Sequence, residues 1–274
     1  MAPRALAVQV QGLVKRFGTL TALDGLDLQV EAGALYALLG PNGAGKSTTI
    51  SILTGLYAPD AGEVQILGLD ARTHALDVKS RIGVVPEELS LFERLSGRQY
   101  LTFCGRMYGL SGEVAGERAQ ELLRLTDLEA RAGALVAEYS KGMRRRLAIA
   151  AALIHRPELL FLDEPFEGID ILAAGVIRDL LSELSRLGVT LLLTTHVLEI
   201  AQRLATHAGI VSAGKTLDQG SVAELEARHG VGSLAGVFEK LVEVPASRNA
   251  RLSFYGPPEP PAPAPVVRKV GGGQ

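Results

Sequence analysis

Gly40-Pro41-Asn42-Gly43-Ala44-Gly45-Lys46-Ser47-Thr48 is the stretch on which the reading of this chain turns. It satisfies the P-loop pattern G-x-x-x-x-G-K-[ST] without a gap. Its flanks suit it: Ala34 to Leu39 is a short apolar run that reads as a buried strand, and Thr49 to Leu56 continues as a helix. Gly40, Gly43 and Gly45 open backbone angles closed to residues that carry a Cβ. The loop amides can then converge into an anion nest, to which the helix N-terminus adds partial positive charge. In such a loop Lys46 reaches the β- and γ-phosphates, and Ser47 offers a hydroxyl to Mg²⁺. A glycine-rich turn that binds nothing is the bland alternative. Lys-Ser at this spacing after an apolar strand weighs heavily against it.

Working outward, 274 residues with 47% hydrophobic content suffice for one large domain or two small ones with a sizeable core. A net charge of −2 argues against nucleic acid as the main partner, because phosphate backbones call for a basic face. The single cysteine, Cys104, excludes an internal disulfide, and with an N-terminus unlike a signal peptide it fits a reducing compartment. No apolar run approaches the ~18–20 residues that a membrane span needs. The chain is therefore expected to be soluble by itself, with any membrane role reached through a partner. The P-loop pattern occurs once, and no internal repeat is visible.

Upstream of the loop, Ala5 to Leu13 and Leu23 to Val30 alternate apolar and polar residues and read as strands. Phe17 lies between them; residue physics alone favours a core position, with stacking on a base as the alternative. Downstream, Gly62 to Leu67 and Ile82 to Pro86 read as strands, Asp77 to Ser80 as part of a short helix, and Glu87 and Glu88 follow. From about Ser96 to Leu135 the period is helical, broken at Thr126 to Glu129, so a mostly helical insert interrupts an α/β chain. Tyr139-Ser140-Lys141-Gly142-Met143 opens a helix over Met143 to His155, with Ser140 as N-cap. Lys141, Arg144, Arg145 and Arg146 form a basic run, expected to be a solvated face.

Leu159-Leu160-Phe161-Leu162-Asp163-Glu164-Pro165 is the second strong signal: a buried strand with two carboxylates at its end. In P-loop enzymes such an aspartate holds Mg²⁺, and the adjacent glutamate can polarise the attacking water. Ile171 to Leu187 is a helix and Val189 to Leu193 a strand that ends in Thr194-Thr195-His196, where open α/β sheets bind ligands. His196 is then a γ-phosphate contact or an ordinary surface histidine. The other four histidines carry no such placement. Leu198 to Leu204 and Ser221 to His229 read as helices, Ala208 to Ser212 as a strand, and Ala213 to Lys215 as a hairpin turn. Seven of the thirteen prolines lie beyond Glu243, so residues 246–274 read as an extended, disordered tail.

Taken together, the order and spacing of these parts over about residues 5 to 228 resemble an ATP-binding subunit of an ABC transporter. The resemblance implies an α/β fold: a P-loop NTPase, RecA-like core with an antiparallel β subdomain and an inserted helical subdomain. Its expected layout is an ABC ATPase domain over 1–230, with the helical subdomain at about 88–156, then a short C-terminal helix over 231–245 and the tail. Gly40, Pro41, Asn42, Gly43, Ala44, Gly45, Lys46, Ser47 and Thr48 resemble the Walker A loop, and Leu159 to Glu164 the Walker B strand, with Glu164 as catalytic base. Tyr139 to Met143 stands at the signature, where Ser140 and Gly142 approach the γ-phosphate in the family. Asp170 matches the D-loop aspartate, His196 the switch histidine and Phe17 the adenine-stacking aromatic.

Two departures stand out. The usual signature Leu-Ser-Gly-Gly-Gln is here Tyr-Ser-Lys-Gly-Met, the form of the branch that pairs with ABC-2-type permeases, often exporters. The Q-loop position holds Glu87 in place of glutamine. The resemblance implies ATP and Mg²⁺ as cofactors, with Ser47, Glu87 and Asp163 at the metal. It further implies a second ATP-binding subunit, an integral membrane permease on a separate chain, no nucleic acid, and a peripheral place on the cytoplasmic face of the membrane. The alternative class is an ABC-type ATPase that acts on nucleic acid or ribosomes without moving a solute.

Overall fold

Three strands are buried at every position: Leu35–Leu39, Leu159–Asp163 and Thr190–Thr195. Continuous apolar runs of this kind belong in a parallel sheet covered on both faces. The computed structural model describes residues 5–242. Its elements in chain order begin with strands β1 (Leu6–Phe17), β2 (Leu20–Glu31) and β3 (Leu35–Leu39), helix α1 (Lys46–Leu53), strands β4 (Ala61–Ile66) and β5 (Leu69–Asp70), helix α2 (Ala75–Arg81) and strand β6 (Ile82–Val85). A helical stretch follows, with α3 (Gly97–Met107), α4 (Gly112–Leu125), two 3-10 turns (Glu129–Arg131, Val136–Glu138) and α5 (Lys141–Leu153). The chain returns to alternation through β7 (Leu159–Asp163), α6 (Ile171–Arg186), β8 (Thr190–Thr195), α7 (Leu198–Leu204), β9 (His207–Ser212), β10 (Lys215–Ser221), α8 (Val222–His229) and α9 (Leu234–Leu241).

These strands form two sheets. The larger has the order β10-β9-β3-β8-β7-β6, parallel except for β10, which pairs antiparallel with β9. The smaller is antiparallel in the order β2-β1-β4-β5. Side chains along a strand alternate between faces, and the core divides accordingly. Tyr36, Leu38, Phe161 and Leu192 face Val8, Val10, Leu26 and Leu28 of the smaller sheet together with Ile50 and Leu53 of α1. Their neighbours Leu35, Leu39, Leu160, Leu162 and Leu193 face the other way, onto Ile149, Ile177, Leu181, Leu225 and Val237 of the covering helices. A third cluster, with Leu101, Ala119, Leu123, Leu147 and Ile154, lies among α3, α4 and α5. Helix α5 takes part in both of the last two clusters, so it carries the helical insert on the sheet.

Helix starts follow the sequence chemistry. Ser96, Ser111, Ser140, Asp170, Ser221 and Ser233 each accept a first-turn N–H with the side chain. Several expectations are corrected. α1 begins at Lys46 inside the loop motif and stops at Leu53. α5 starts at Lys141, directly after its Ser140 cap, and ends at Leu153. The insert breaks at Tyr108 to Ser111 as well, and only 3-10 turns follow Thr126 before α5. The C-terminal helix spans Leu234–Leu241, and the tail over 246–274 lies outside the described residues.

The basic run is also corrected. Arg145 is buried. Arg144 donates to Glu93 and to the carbonyls of Tyr139 and Ala137, and Arg146 to the carbonyls of Thr126 and Asp127. These arginines fasten loops to α5 because their fork-shaped heads match groups of carbonyl oxygens.

Candidate nucleotide site

Strand register brings the chemistry to one place. Leu39 pairs with Thr195 and Asp163 with Thr194, so the carboxyl ends of β3, β8 and β7 lie side by side. That edge is where open parallel sheets leave a ligand crevice. A cavity of about 510 Å³ opens there. Its floor is Asn42 to Thr48, one wall is Phe17 with Leu20, Thr21 and Ala22, and the far side carries Glu87, Glu164, Glu167 and His196. Gly40 and Pro41 lead into the floor from β3, and Lys46 bonds back to both of their carbonyls, at 2.8 and 3.3 Å.

The loop passes close beneath β2. At Gly45, φ is 104°, and a Cβ there would lie 2.6 Å from Leu23 Cδ2 and 2.9 Å from the Ala22 carbonyl oxygen. Only glycine meets both conditions. Among the described residues no side chain caps α1, so its first-turn amides have no side-chain acceptor there, at the position where a helix dipole favours an anion. Lys46 is 8% exposed. Burial lowers its pKa, and the carboxylates of Glu164, Asp163 and Glu87 act in the opposite direction.

Behind the loop, Ser47 Oγ donates to Asp163 Oδ1 at 3.3 Å. The Thr194 hydroxyl donates to the same oxygen and accepts the backbone N–H of Glu164 at 3.0 Å. Thr194 thus orients both carboxylate residues of the strand end. Glu164 has φ 45°, a left-handed conformation that costs a non-glycine residue about 1 kcal/mol or more. Its Oε2 meets His196 Nδ1 at 3.0 Å, and its carbonyl accepts the Glu167 N–H at 3.1 Å. Glu87 follows β6 and Pro86 into the same cavity. Burial raises its pKa, as do the nearby charges of Asp163 and Glu167, a side-chain hydrogen bond to Glu167, and the charge of Glu164.

Phe17 is not a core residue. It ends β1 with 42% of its surface exposed, edge-on to Tyr57 at 5.5 Å. That leaves its ring at the cavity rim. Ser140, Gly142 and Asp170 are absent from the cavity lining. Ser140 Oγ accepts the Met143 N–H at 3.2 Å and Asp170 Oδ1 the Ala173 N–H at 2.9 Å, so each caps its own helix. Gly142 is buried against α6, where a Cβ would come within 2.9 Å of Ala173 Cβ. Three residues escaped sequence reasoning. Thr194 was signalled only by polarity at the end of an apolar strand. Glu167 was signalled by an acidic turn three residues after Glu164. Arg145 shares a helical face with Gly142 and Ile149, a period that marks it as inward.

A family model described as ABC transporter matches residues 23–167. The chain is 44% identical over 224 residues to the daunorubicin resistance ATP-binding protein DrrA3 of Streptomyces coeruleorubidus, covering 82% of this chain and 71% of that one. It is 41% identical over 218 residues to the Nod factor export ATP-binding protein I of Cupriavidus metallidurans, covering 80% and 72%. A solved dimeric ATP-binding cassette in a post-hydrolysis state with ADP and Pi has the same fold, with a TM-score of 0.72 at 26% identity over 78% of this chain and 98% of that one. Shared sequence across most of its length and a shared fold make this chain a member of the ABC transporter family, among its ATP-binding, ATP-hydrolysing subunits.

Proposed function

We propose that this chain hydrolyses ATP to power outward transport through a membrane permease on a separate chain, working as one of two cassettes. The observation that carries the reading is the 3.0 Å contact of Glu164 with His196 in the cavity that also holds Lys46 and Ser47. Loop amides and Lys46 receive the β- and γ-phosphates. Phe17 stacks on the base. Glu164, oriented by Thr194 and His196, polarises the attacking water, and His196 steadies the γ-phosphate. Positioning and charge neutralisation supply most of the rate. Ser47, Asp163 and Glu87 present the hard oxygen donors that suit Mg²⁺ arriving with a nucleotide, where it would neutralise charge on the phosphate oxygens.

Ser140, Gly142 and Asp170 serve the nucleotide of the second cassette in this reading. Their position outside the chain's own cavity supports it, as does the dimeric state of the related cassette. The permease docks on the Q-loop stretch and the helical insert, where Phe92, Phe103, Met107 and Tyr108 are exposed. Among the described residues no helix is long and apolar enough to cross a membrane. The permease then holds the chain at the cytoplasmic face. Outward direction follows from the Tyr139 to Met143 signature and from the export named for a relative.

The test is to trap the Glu164→Gln chain with ATP in native membranes and identify what co-purifies. A stoichiometric multi-span protein is expected. A ribosomal or nucleic-acid partner without any membrane protein would overturn the proposal.

A further inference from the structure

Arg145 is the feature of this site least explained by structure alone. It is 2% exposed, and its Nη1 and Nη2 donate to the carbonyls of Pro86 and Glu87 at 2.7 and 2.8 Å. Its Nε has no hydrogen-bond partner among the described residues. A buried charge is costly, so a guanidinium held here against two carbonyls calls for a reason beyond packing. The nearby carboxylates of Glu167, Glu87, Asp163 and Glu164 favour its charge against the cost of burial. The contact also joins two parts of the machine. Arg145 stands one turn beyond Gly142 on α5, and the loop it grips carries Glu87 into the nucleotide cavity.

We propose that Arg145 is a positioning residue for the ATPase reaction: its two-pronged grip on the Pro86 and Glu87 carbonyls holds the Glu87 carboxylate on the cation side of the nucleotide cleft. The inference rests on the reading of Glu87 as a cation contact. The planar fork matters because it offers two N–H groups in fixed geometry, whereas lysine offers a point charge on a flexible stem.

The test uses the full chain carrying Glu164→Gln, loaded with ATP, with Mn²⁺ as the probe and its binding followed by electron paramagnetic resonance. Arg145→Lys and Arg145→Gln are each expected to weaken Mn²⁺ binding about tenfold, the usual scale for removing a group that orients a ligand. ATP affinity without metal should stay at the parent value. In a Glu87→Ala background the Arg145→Lys loss should vanish, since residues acting through one contact are non-additive. Thermal midpoints are recorded for each variant, and Arg145→Lys, which keeps the charge, is the milder one should Arg145→Gln fail to fold.

Unchanged Mn²⁺ affinity in Arg145→Lys overturns the proposal, even if stability falls. A loss that persists undiminished without the Glu87 carboxylate also overturns it, because Arg145 would then act elsewhere. If Glu87→Ala alone leaves Mn²⁺ affinity unmoved, the reading of Glu87 as a cation contact is what fails.

Discussion

The strand-end region and the helix-start region of this molecule handle their polar groups in opposite ways. At the strand ends, side chains are tied to one another across elements: Ser47 to Asp163, Asp163 to Thr194, Glu164 to His196. Ser47, Glu164 and His196 line one cavity, with Asp163 and Thr194 buried behind them. At the starts of α5 and α6, Ser140 and Asp170 are occupied with their own helices, and Gly142 is packed between the two. The first region gathers, within one chain, the groups that the proposed function assigns to the phosphates. The second presents two helix ends capped by their own side chains, away from that cavity. On the proposed reading, the contrast corresponds to two unlike halves of a site, which a second copy or relative would join.

The sharpest way to probe that contrast is Glu164→Gln. Turnover should fall about 10²- to 10⁴-fold, the range for a lost general base, while the ATP dissociation constant stays put; unchanged hydrolysis would remove Glu164 from its role. The contrast breaks outright if mixing fails. Lys46→Ala spoils the strand-end half and Gly142→Ala the helix-start half, so each should be inactive alone. Mixed in equal amounts, they should regain roughly a quarter of parental turnover, because half of the pairs form one intact composite site of two. No recovery, with both variants folded, would mean that the start of α5 serves its own cavity.

A smaller effect sharpens the strand-end half. Thr194→Val strands the buried Glu164 N–H and releases Asp163. It should cost about 1–3 kcal/mol in urea unfolding and about tenfold in turnover. Stability loss without a change in turnover would make Thr194 a packing residue only.

The smallest effect concerns the joint that holds the helical insert. His155 stacks on Tyr108 with ring centroids 3.7 Å apart, and its Nε2 meets the Ile82 carbonyl at 2.9 Å, so that nitrogen carries the hydrogen. Nδ1 is buried without a hydrogen-bond partner among the described residues. Burial lowers the His155 pKa, opposed by the Ile82 bond and helped by the charge of Arg118. A lowered folded pKa means that the unfolded chain binds the extra proton first. The contribution is therefore complete above pH ~6.5 and is lost as pH falls through the folded value. Between pH 7 and 5, the stability of the parent should drop more steeply than that of His155→Gln, whose amide can still serve Ile82. Parallel curves would show that the joint does not sense protonation.

Much of this was legible in the chain itself. The P-loop could be read because its glycines, lysine and serine are contiguous and their spacing is fixed by the backbone geometry of one turn. β3, β7 and β8 could be read because double-sided burial demands unbroken apolar runs. Residue physics alone favoured the core for Phe17, against the place implied by the resemblance, because an aromatic after an alternating strand has the same pattern whether the strand's last residue reaches the core or overshoots it. The arginines misled because a run of like charges reads as solvated, and only one helical face of the run turns inward.

What the sequence determined, then, is every feature whose cause is local: the strand–loop–helix unit, the Ser and Asp caps, the acidic strand end. What the tertiary structure alone decided is which distant residues meet. Thr194 meets Asp163, Glu87 meets Glu167 and Arg145 grips Pro86 only through sheet register and the seating of α5. Side-chain hydrogen bonds act over about 3 Å in space and are indifferent to separation along the chain.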